Sequence, residues 1–383
     1  MRRIATFIIA ACCAVAAVAA PLDQVVDVTH RTGGSPVIPV TATTPDLMAA
    51  HFINVGQGSA ELFEFSCGLV LIDTGGQTKS STDWQARLVS YLDEVFARRP
   101  DLNRTIDVVY LTHPHPDHTA GVKNLLAGSP FKIRHVITDA EPGARGAPGQ
   151  KKLIDYANMN RIPAAAITTD LIDGKTGLWS RYIDPLRCRG SDPDLTVLWG
   201  SYPQRAQWSK DDAKDANNHS VAVRIKFGDS SFLVTGDMET PAIKAMMARA
   251  GANTRLFDVD VYVVGHHGSA NATTKEFLAA MSPQMAVISA GDPGAEEVGG
   301  FTAFHHGHPN RQAIDLLMDA VIGVSWRRPP VTVAVGTRGQ SPDGRIPPAW
   351  TRMAIDRAIF STGWDGDVVI VAGADGSKRV IVN

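Results

Sequence analysis

Residues 112–118 constrain this chain more than any other segment, because they place four candidate metal ligands within six consecutive positions. The segment reads Thr-His-Pro-His-Pro-Asp-His and directly follows residues 106–111, a continuous apolar run typical of a strand buried on both faces. This density of ligands at a strand end disfavours the alternative of a solvated, His-rich loop. The four candidates are His113, His115, Asp117 and His118.

Two prolines determine how these candidates point. Pro114 and Pro116 each fix their own φ angle and keep the preceding residue out of the helical region, so the chain stays extended. Alternate side chains of an extended chain point the same way, so we expect His113, His115 and Asp117 to share one side. Imidazole and carboxylate ligands without a thiolate suit Zn²⁺, with Mn²⁺ or Fe as alternatives, at a hydrolytic centre.

Further candidate ligands follow two later apolar runs. Asp237 ends the sequence Thr-Gly-Asp, and His266 opens the sequence His-His-Gly-Ser. An aspartate after a glycine is, on its own, more often a turn residue. Because one loop cannot complete two coordination shells, we expect Asp237 and His266 to join the cluster.

Strand-like and helix-like segments alternate along the chain. Short β-like runs at residues 51–55, 60–65 and 69–72 are separated by turn residues and predict antiparallel strands. A helical period over residues 82–97 predicts a helix, and a shorter helix is expected over residues 120–126. The alternation favours an α/β protein with its sheet inside and its helices outside.

The amino-terminal residues predict export. Arg2 and Arg3 precede an apolar run over residues 4–18 and a small-residue cleavage site, which is typical of a signal peptide spanning residues 1–20. The run is shorter than the ~20 residues that span a bilayer, which disfavours a membrane anchor. We therefore expect a periplasmic or extracellular protein without a membrane span, with lipid anchoring through Cys12 as the alternative. An oxidising compartment would permit a disulfide between the two remaining cysteines, and their pairing stays open.

We divide the rest of the chain into a lead-in and one domain. Residues 21–47 are rich in Pro, Thr, Gly and Val and predict an extended lead-in or linker. Residues 48–383 form the domain, with insertions expected near residues 139–200 and 325–357.

The charge balance disfavours one class of partner. The chain has 37 basic and 39 acidic residues, and removal of residues 1–20 gives a net charge of −4. Proteins that neutralise many phosphates are usually basic, so extended nucleic-acid binding is not favoured. A small molecule or a single phosphodiester at the metal remains compatible with this balance, and no protein partner is predicted.

Several motifs occur in an order that resembles the metallo-β-lactamase superfamily, and within it the soluble hydrolase domain of ComEC-type competence proteins. The resemblance spans residues 48–320 and 360–380. Besides the histidine cluster, it rests on residues 51–60, 71–76, 217–220, 235–237, 266–269 and 307–309.

The resemblance implies a four-layer αββα sandwich and a centre for two divalent metal ions. His113 and His115 would hold the first ion; Asp117, His118 and His266 would hold the second; and Asp237 would bridge them. Superfamily members commonly add a third histidine to the first site. This chain departs there, since it has Asn-Asn-His-Ser at residues 217–220, a pattern similar to the ComEC-type branch.

The resemblance also implies roles around the metals. Asp73 would orient a ligand histidine, and a metal-bound hydroxide, near Asp117, would be the nucleophile. His267 and His308 would act on the oxyanion or leaving group, with His308 preferred over the neighbouring His305 and His306. Residues that would surround the substrate or the ligands are Asn218, His219, Ser220 and Ser269.

Three functions follow as alternatives. The first is a hydrolase of phosphodiester or nucleic-acid-derived substrates, which the ComEC-type motifs favour. The second is a hydrolase of a small ester, lactone, thioester or β-lactam. The third is a non-catalytic, metal-binding cell-envelope protein, which the six candidate ligands disfavour because structural sites usually close with four.

Overall fold

The computed structural model describes residues 24–30, 38–78, 80–128, 131–139, 141, 146–292, 302–321, 325–341 and 344–382. The predicted signal peptide, with Cys12, lies outside the described residues. Within the described ranges, no helix is both long enough and apolar enough to cross a membrane.

The described strands are short, apart from one long hairpin near the carboxyl terminus. In chain order they are β1 (Gln24–His30), β2 (Leu47–Phe52), β3 (Glu61–Phe65), β4 (Gly68–Ile72), β5 (Thr105–Ile106), β6 (Val108–Leu111), β7 (Lys132–Ile133), β8 (Val136–Asp139), β9 (Ala164–Ile167), β10 (Asp194–Trp199), β11 (Ala222–Phe227), β12 (Ser230–Val234), β13 (Val261–Val263), β14 (Met285–Ile288), β15 (Ser325–Arg338), β16 (Ala349–Arg357), β17 (Ile359–Ser361), β18 (Val368–Gly373) and β19 (Lys378–Val382).

The α-helices of the described residues lie between these strands. They are α1 (Trp84–Arg98), α2 (Pro116–Thr119), α3 (Val122–Leu126), α4 (Ala147–Met159), α5 (Thr240–Ala250), α6 (Lys275–Met281), α7 (Ala303–His306), α8 (Arg311–Ala320) and α9 (Thr362–Asp365).

Two sheets pack face to face. The first has the strand order β16-β15-β1-β19-β18-β2-β3-β4-β6-β8-β9, and the second has the order β10-β11-β12-β13-β14-β17. Aromatic rings join their inner faces: the centroids of Phe63 and Phe232 are 5.6 Å apart, and those of Phe65 and Phe227 are 5.9 Å apart.

Helices cover the outer faces. Leu88 of α1 and Leu153 of α4 pack against one face of the first sheet, while Met246 of α5 and Phe277 of α6 join the core formed with the second sheet. This arrangement is a four-layer αββα sandwich, which confirms the predicted fold class. The antiparallel strands expected from residues 51–72 are also present, as β2, β3 and β4.

The two predicted helices before and after β6 form with shifted ends. α1 begins after Asp83, whose carboxylate accepts a hydrogen bond from the Ala86 amide at 3.2 Å and so caps the helix. The helix expected over residues 120–126 forms as α3, and a further short helix, α2, precedes it, so Asp117 is helical rather than extended as the two prolines predicted. Pro116 begins α2. A proline has no amide hydrogen, but amides in the first turn of a helix have no partner within the helix, so no hydrogen bond is lost there.

A buried carboxylate ties α1 to the first sheet. Glu64 of β3 accepts hydrogen bonds at 2.8 Å from both Arg98 and Arg99, and its other oxygen lies 3.2 Å from His51. Burial alone would raise the pKa of Glu64, but the hydrogen bonds from His51 and Arg98 outweigh burial and lower this pKa to about 2. The carboxylate is therefore ionised and paired throughout the neutral range.

Parallel strands of both sheets end at one edge of the sandwich. β4 pairs in parallel with β6, and β12, β13 and β14 are parallel to one another. Residues that follow the carboxyl ends of parallel strands meet at the same edge. The loops after β4, β6, β12 and β13 therefore converge, and they contain the candidate ligands.

Two segments extend the first sheet. β1 lies within the predicted lead-in of residues 21–47 and pairs in parallel with β15 and β19. β15 and β16 form an antiparallel hairpin at the end of the sheet, within the insertion predicted near residues 325–357. The segment predicted as an insertion near residues 139–200 contains α4, β9 and β10.

Cys67 and Cys188 form a disulfide, with their Cα atoms 5.1 Å apart. Cys67 lies in the turn between β3 and β4, and Cys188 lies in the loop before β10. The bond closes a loop with a sequence separation of 121 residues. Closing so long a loop removes conformational entropy from the unfolded chain.

We predict that the double substitution Cys67→Ser and Cys188→Ser lowers the free energy of unfolding by ~2–5 kcal/mol, because the unfolded chain regains that entropy. Differential scanning calorimetry should show a lower Tm than for the wild-type protein. A reductant should lower the Tm of the wild-type protein and leave that of the variant unchanged. Equal melting of both proteins, with no linked peptide in a non-reducing digest, would refute the pairing.

Candidate metal centre

A carboxylate on a neighbouring strand holds the histidine cluster in place. Asp73, directly after β4, accepts hydrogen bonds at 2.7 Å from the amide and the hydroxyl of Thr112. The same carboxylate lies 2.7 Å from Nδ1 of His118 and so orients that ring. Asp73 has a φ of 58°, which is uncommon for a residue with a Cβ, and these contacts maintain it. This is the geometry expected of an orienting carboxylate.

Gly58 allows a second loop to approach the cluster. Its φ is 146°, and a Cβ added there would lie 2.3 Å from the carbonyl oxygen of Asp117. The amide of Ser59 donates to that oxygen at 3.0 Å. A larger residue at position 58 would displace the segment that carries Asp117.

The candidate ligands converge in two groups. Within each group, one ligand atom of every member lies within 4.8 Å of the others. The first group contains His113, His115 and Asp237, and the second contains Asp117, His118, Asp237 and His267.

Asp237 belongs to both groups. Its Oδ2 lies 3.2 Å from Nε2 of His118, 3.4 Å from Nε2 of His267 and 3.7 Å from Nε2 of His113. The hydroxyl of Ser220 accepts a hydrogen bond from the Asp237 amide at 3.1 Å and positions the loop. Nε2 of His118 is buried, and its contact with Asp237 lacks the geometry of a hydrogen bond, which fits a nitrogen aimed at a cation.

Two adjacent histidines differ from the expected assignment. Both have left-handed backbone, with φ angles of 48° at His266 and 53° at His267. This turn directs His267 inward, where its Nε2 lies 3.1 Å from Asp117, and its Nδ1 lies 2.6 Å from the carbonyl oxygen of Ser289. His266 is 21% exposed, and its Nε2 is 3.9 Å from Asp237. His267 therefore replaces His266 as the candidate ligand.

Neighbouring charges shift the pKa values of the groups within the centre. Burial would raise the pKa of Asp117, but the hydrogen bond from His267 and the charge of His118 hold it well below its usual range. Burial would lower the pKa of His267, but Asp237 and Asp117 together raise it to about 10. Burial and the charge of His118 hold the pKa of His113 well below its usual range. The acids are in the form that binds cations, and metal binding to His267 would require loss of its proton.

The segment before β11 does not supply a third histidine to the first group. Nδ1 of His219 accepts a hydrogen bond from the Tyr202 amide at 3.0 Å, and Asn218 donates to the carbonyl oxygen of Asp212 at 3.2 Å. Asn217, which was absent from the predicted site, lies at the cavity instead. It donates to Glu239 at 3.2 Å, and the same Glu239 oxygen lies 3.2 Å from Nδ1 of His266.

Two other predicted residues lie outside the cavity wall. Ser269 donates its hydroxyl proton to Asn271 at 2.7 Å. His308 is buried behind His266, with the ring centroids 5.4 Å apart. Burial and the charge of His266 hold the pKa of His308 well below its usual range. His306, which the sequence ranked below His308, is exposed and lines the cavity.

The two groups open into a cavity of about 500 Å³. Nine of its ten lining residues have polar or charged side chains, and the full set is Gln57, Gln77, Thr78, His115, Pro116, Asp117, Asn217, Asp237, His266 and His306. Sequence reasoning missed Gln57, Gln77, Asn217 and Glu239. The signals were present, since Gln57 lies between two glycines and Asn217 begins the Asn-Asn-His-Ser segment.

Comparison with known proteins gives one family match and several relatives. Residues 53–200 match the family model described as the metallo-beta-lactamase superfamily. ComE operon protein 3 of Bacillus subtilis is 26% identical over 272 residues, which cover 69% of this chain and 30% of that protein. Recombination protein 2 of Haemophilus influenzae is 30% identical over 239 residues, which cover 62% of this chain and 24% of that protein. This chain thus matches less than a third of the length of either relative.

Among solved structures, the metallo-beta-lactamase fold protein YhfI from Bacillus subtilis is similar to this chain, with a TM-score of 0.39 and 11% identity. The match covers 73% of this chain and 95% of YhfI.

The two adjacent histidines give the first prediction from this geometry. His267→Ala should reduce bound zinc from about two ions per chain towards one, because it removes a member of the second group. His266→Ala, the matched control, should retain both ions. Metal analysis after dialysis measures the difference, and the reverse pattern would restore His266 as the ligand.

Asp73 gives the second prediction from this geometry. Asp73→Asn should weaken metal binding ~10–100-fold, because the amide nitrogen cannot accept the His118 proton that fixes the ring. Competition with a chromogenic chelator measures this affinity. Asp107→Asn is the control, since Asp107 is also a buried carboxylate but accepts a hydrogen bond from the Leu69 amide, away from both groups. Equal affinities in the two variants would exclude an orienting role for Asp73.

Proposed function

We propose that this chain, whose residues 53–200 match the metallo-beta-lactamase superfamily, is an exported, metal-dependent hydrolase of phosphodiester bonds in nucleic-acid-derived substrates. One observation carries this proposal: two ligand groups share Asp237 at an open cavity whose lining residues are mostly of polar type.

The side chains fit two divalent ions, with Zn²⁺ as the first choice and Mn²⁺ or Fe as alternatives. His113 and His115 would hold one ion, Asp117, His118 and His267 would hold the other, and Asp237 would lie between them. Imidazole and carboxylate are the ligands that hydrolytic centres of this kind use. Such ions lower the pKa of bound water and stabilise charge that develops on the substrate.

The chain itself would bind and orient the substrate. Asn217, His266 and His306 line the cavity beside the ligands and could donate hydrogen bonds to the non-bridging oxygens of a phosphodiester. Glu239 lies 3.2 Å from both Asn217 and His266 and holds these two side chains together. His308, packed behind His266, would position that ring without contacting the substrate.

Two observations favour a phosphodiester over a small apolar ester or a β-lactam. The cavity wall is rich in amide and imidazole groups, which suit a charged, tetrahedral group. One of the relatives, Recombination protein 2 of Haemophilus influenzae, is named for recombination, which points to nucleic acid as the substrate class.

The disulfide supports export. Disulfides persist in oxidising compartments such as the periplasm or the exterior of the cell, and they are rare in the cytosol. The bond between Cys67 and Cys188 is therefore consistent with the signal peptide predicted from residues 1–20.

We predict that the zinc-loaded protein hydrolyses bis(p-nitrophenyl) phosphate with a higher kcat/KM than a lactone or a chromogenic cephalosporin. The double substitution His113→Ala and Asp117→Ala should lower diester turnover by at least ~100-fold, because it removes a ligand from each group. His135→Ala is the control, since His135 belongs to neither group.

Three results would count against this function. Activity that survives in the double variant would place the chemistry elsewhere. Preferential turnover of the lactone or cephalosporin would favour the small-ester alternative. Absence of turnover by protein with a full metal content would favour the non-catalytic alternative.

A further inference from the structure

Positive charge is concentrated in one hairpin of this mildly acidic chain. Residues 325–357 contain six arginines, two aspartates and no lysine or glutamate, which gives a local net charge of +4. The whole chain has 37 basic and 39 acidic residues, so the remainder carries a net charge of −6. The overall balance therefore conceals a local concentration of basic residues.

Two arginines of the hairpin lie on the face that points away from the core. In the pairing of β15 with β16, Ala334 lies opposite Arg352, and Gly336 lies opposite Trp350. Ile355 is buried in the core, so residues 350 and 352 belong to the other face. Arg352 is exposed on that face, and Arg338 is exposed at the end of β15.

The same end of the hairpin packs on the loop that borders the metal cavity. The Gly336 amide donates to the carbonyl oxygen of Pro309 at 2.8 Å, and the Gln340 amide donates to that of His305 at 2.7 Å. A Cβ added at Gly307 would lie 2.9 Å from the carbonyl carbon of Arg338. The backbone of Arg338 therefore lies directly against this loop.

An aromatic pair adds to the contact. Phe304 of α7 stacks on Trp350 of β16, with centroids 5.9 Å apart and an interplanar angle of 11°. His306, two residues after Phe304, lines the cavity. Arg352 lies two residues beyond Trp350 along the strand, or ~7 Å further from the aromatic pair. Arg338 and Arg352 thus extend a basic surface outward from the cavity wall.

We infer that this surface, defined by Arg338 and Arg352, binds the backbone phosphates of a nucleic-acid strand whose scissile diester occupies the metal cavity. The inference rests on the proposed phosphodiester chemistry and names its substrate as an oligonucleotide rather than a mononucleotide ester. A guanidinium is the side chain best matched to phosphate, because its planar fork donates two parallel hydrogen bonds. A basic path that continues from a hydrolytic cavity suits a chain of phosphates better than a single one.

Fluorescence anisotropy with a labelled 20-nucleotide oligothymidylate tests this surface. The full chain is kept in EDTA, so binding is measured without cleavage. The double substitution Arg338→Gln and Arg352→Gln should raise Kd about 10-fold at ~0.1 M salt. It should also reduce the slope of log K against log salt concentration by about 1.4, as expected for two lost contacts to a single strand. Turnover of zinc-loaded protein with bis(p-nitrophenyl) phosphate should not change.

The control variant makes the same change in charge at the opposite edge of the sheet. Lys152 and Arg161 are exposed on α4 and on the turn after it, beside β9. Their double change to glutamine should leave the oligonucleotide Kd close to that of the wild-type protein. The conservative pair Arg338→Lys and Arg352→Lys should recover most of the binding, which a loss of folding would not allow.

Three outcomes would overturn the inference. The first is an equal Kd and salt slope in the arginine variant and the control. The second is an effect of the arginine pair on phosphatidylglycerol vesicles but not on the oligonucleotide, which would make the surface a membrane contact. The third is an equal loss of bis(p-nitrophenyl) phosphate turnover, which would place these residues in the chemistry. Because binding is measured without metal, failure of the hydrolase proposal would remain a separate result.

Discussion

The carboxylate of Asp73 is the constraint on which the candidate centre depends. It joins the end of β4 to the start of the histidine loop through the amide and hydroxyl of Thr112, and it also orients His118. Parallel pairing of β4 with β6 brings these strand ends together. The positive φ of Asp73 then turns its carboxylate into the loop rather than along the strand. The loop is thereby held before any ion binds, so less entropy is lost on binding.

The centre also depends on the contact between the two sheets. The first sheet supplies residues 113–118, while Asp237 and His267 follow strands of the second. Gly236 permits this approach, since its φ is 53° and an added Cβ would lie 2.8 Å from the side chain of Thr112. Packing between the inner faces, as in the contact of Phe63 with Phe232, therefore sets the distance between the two halves of each ligand group.

The cavity and the hairpin combine two kinds of recognition. At the candidate metal centre, ionised carboxylates and imidazoles lie within a few ångströms and suit small, highly charged ions. Outside it, Arg338 and Arg352 provide guanidinium groups at solvent-exposed positions. Under the proposed function, charge near the centre would bind a metal and a diester, and charge further out would bind the rest of an anionic chain. A net charge averaged over all residues cannot express this separation.

Several features were determined by the sequence alone because they are local or form an ordered series of motifs. The prolines among His113, His115 and Asp117 predict convergence within one loop, and the succession of motifs predicts the αββα sandwich. Other features were decided by the tertiary structure. Two successive left-handed residues direct His267 rather than His266 into the second group, which the alternation of side chains along an extended chain does not predict. His219 is held by Tyr202, so Asn217 reaches the cavity in its place. Such choices depend on contacts between residues distant in sequence, which local patterns do not encode.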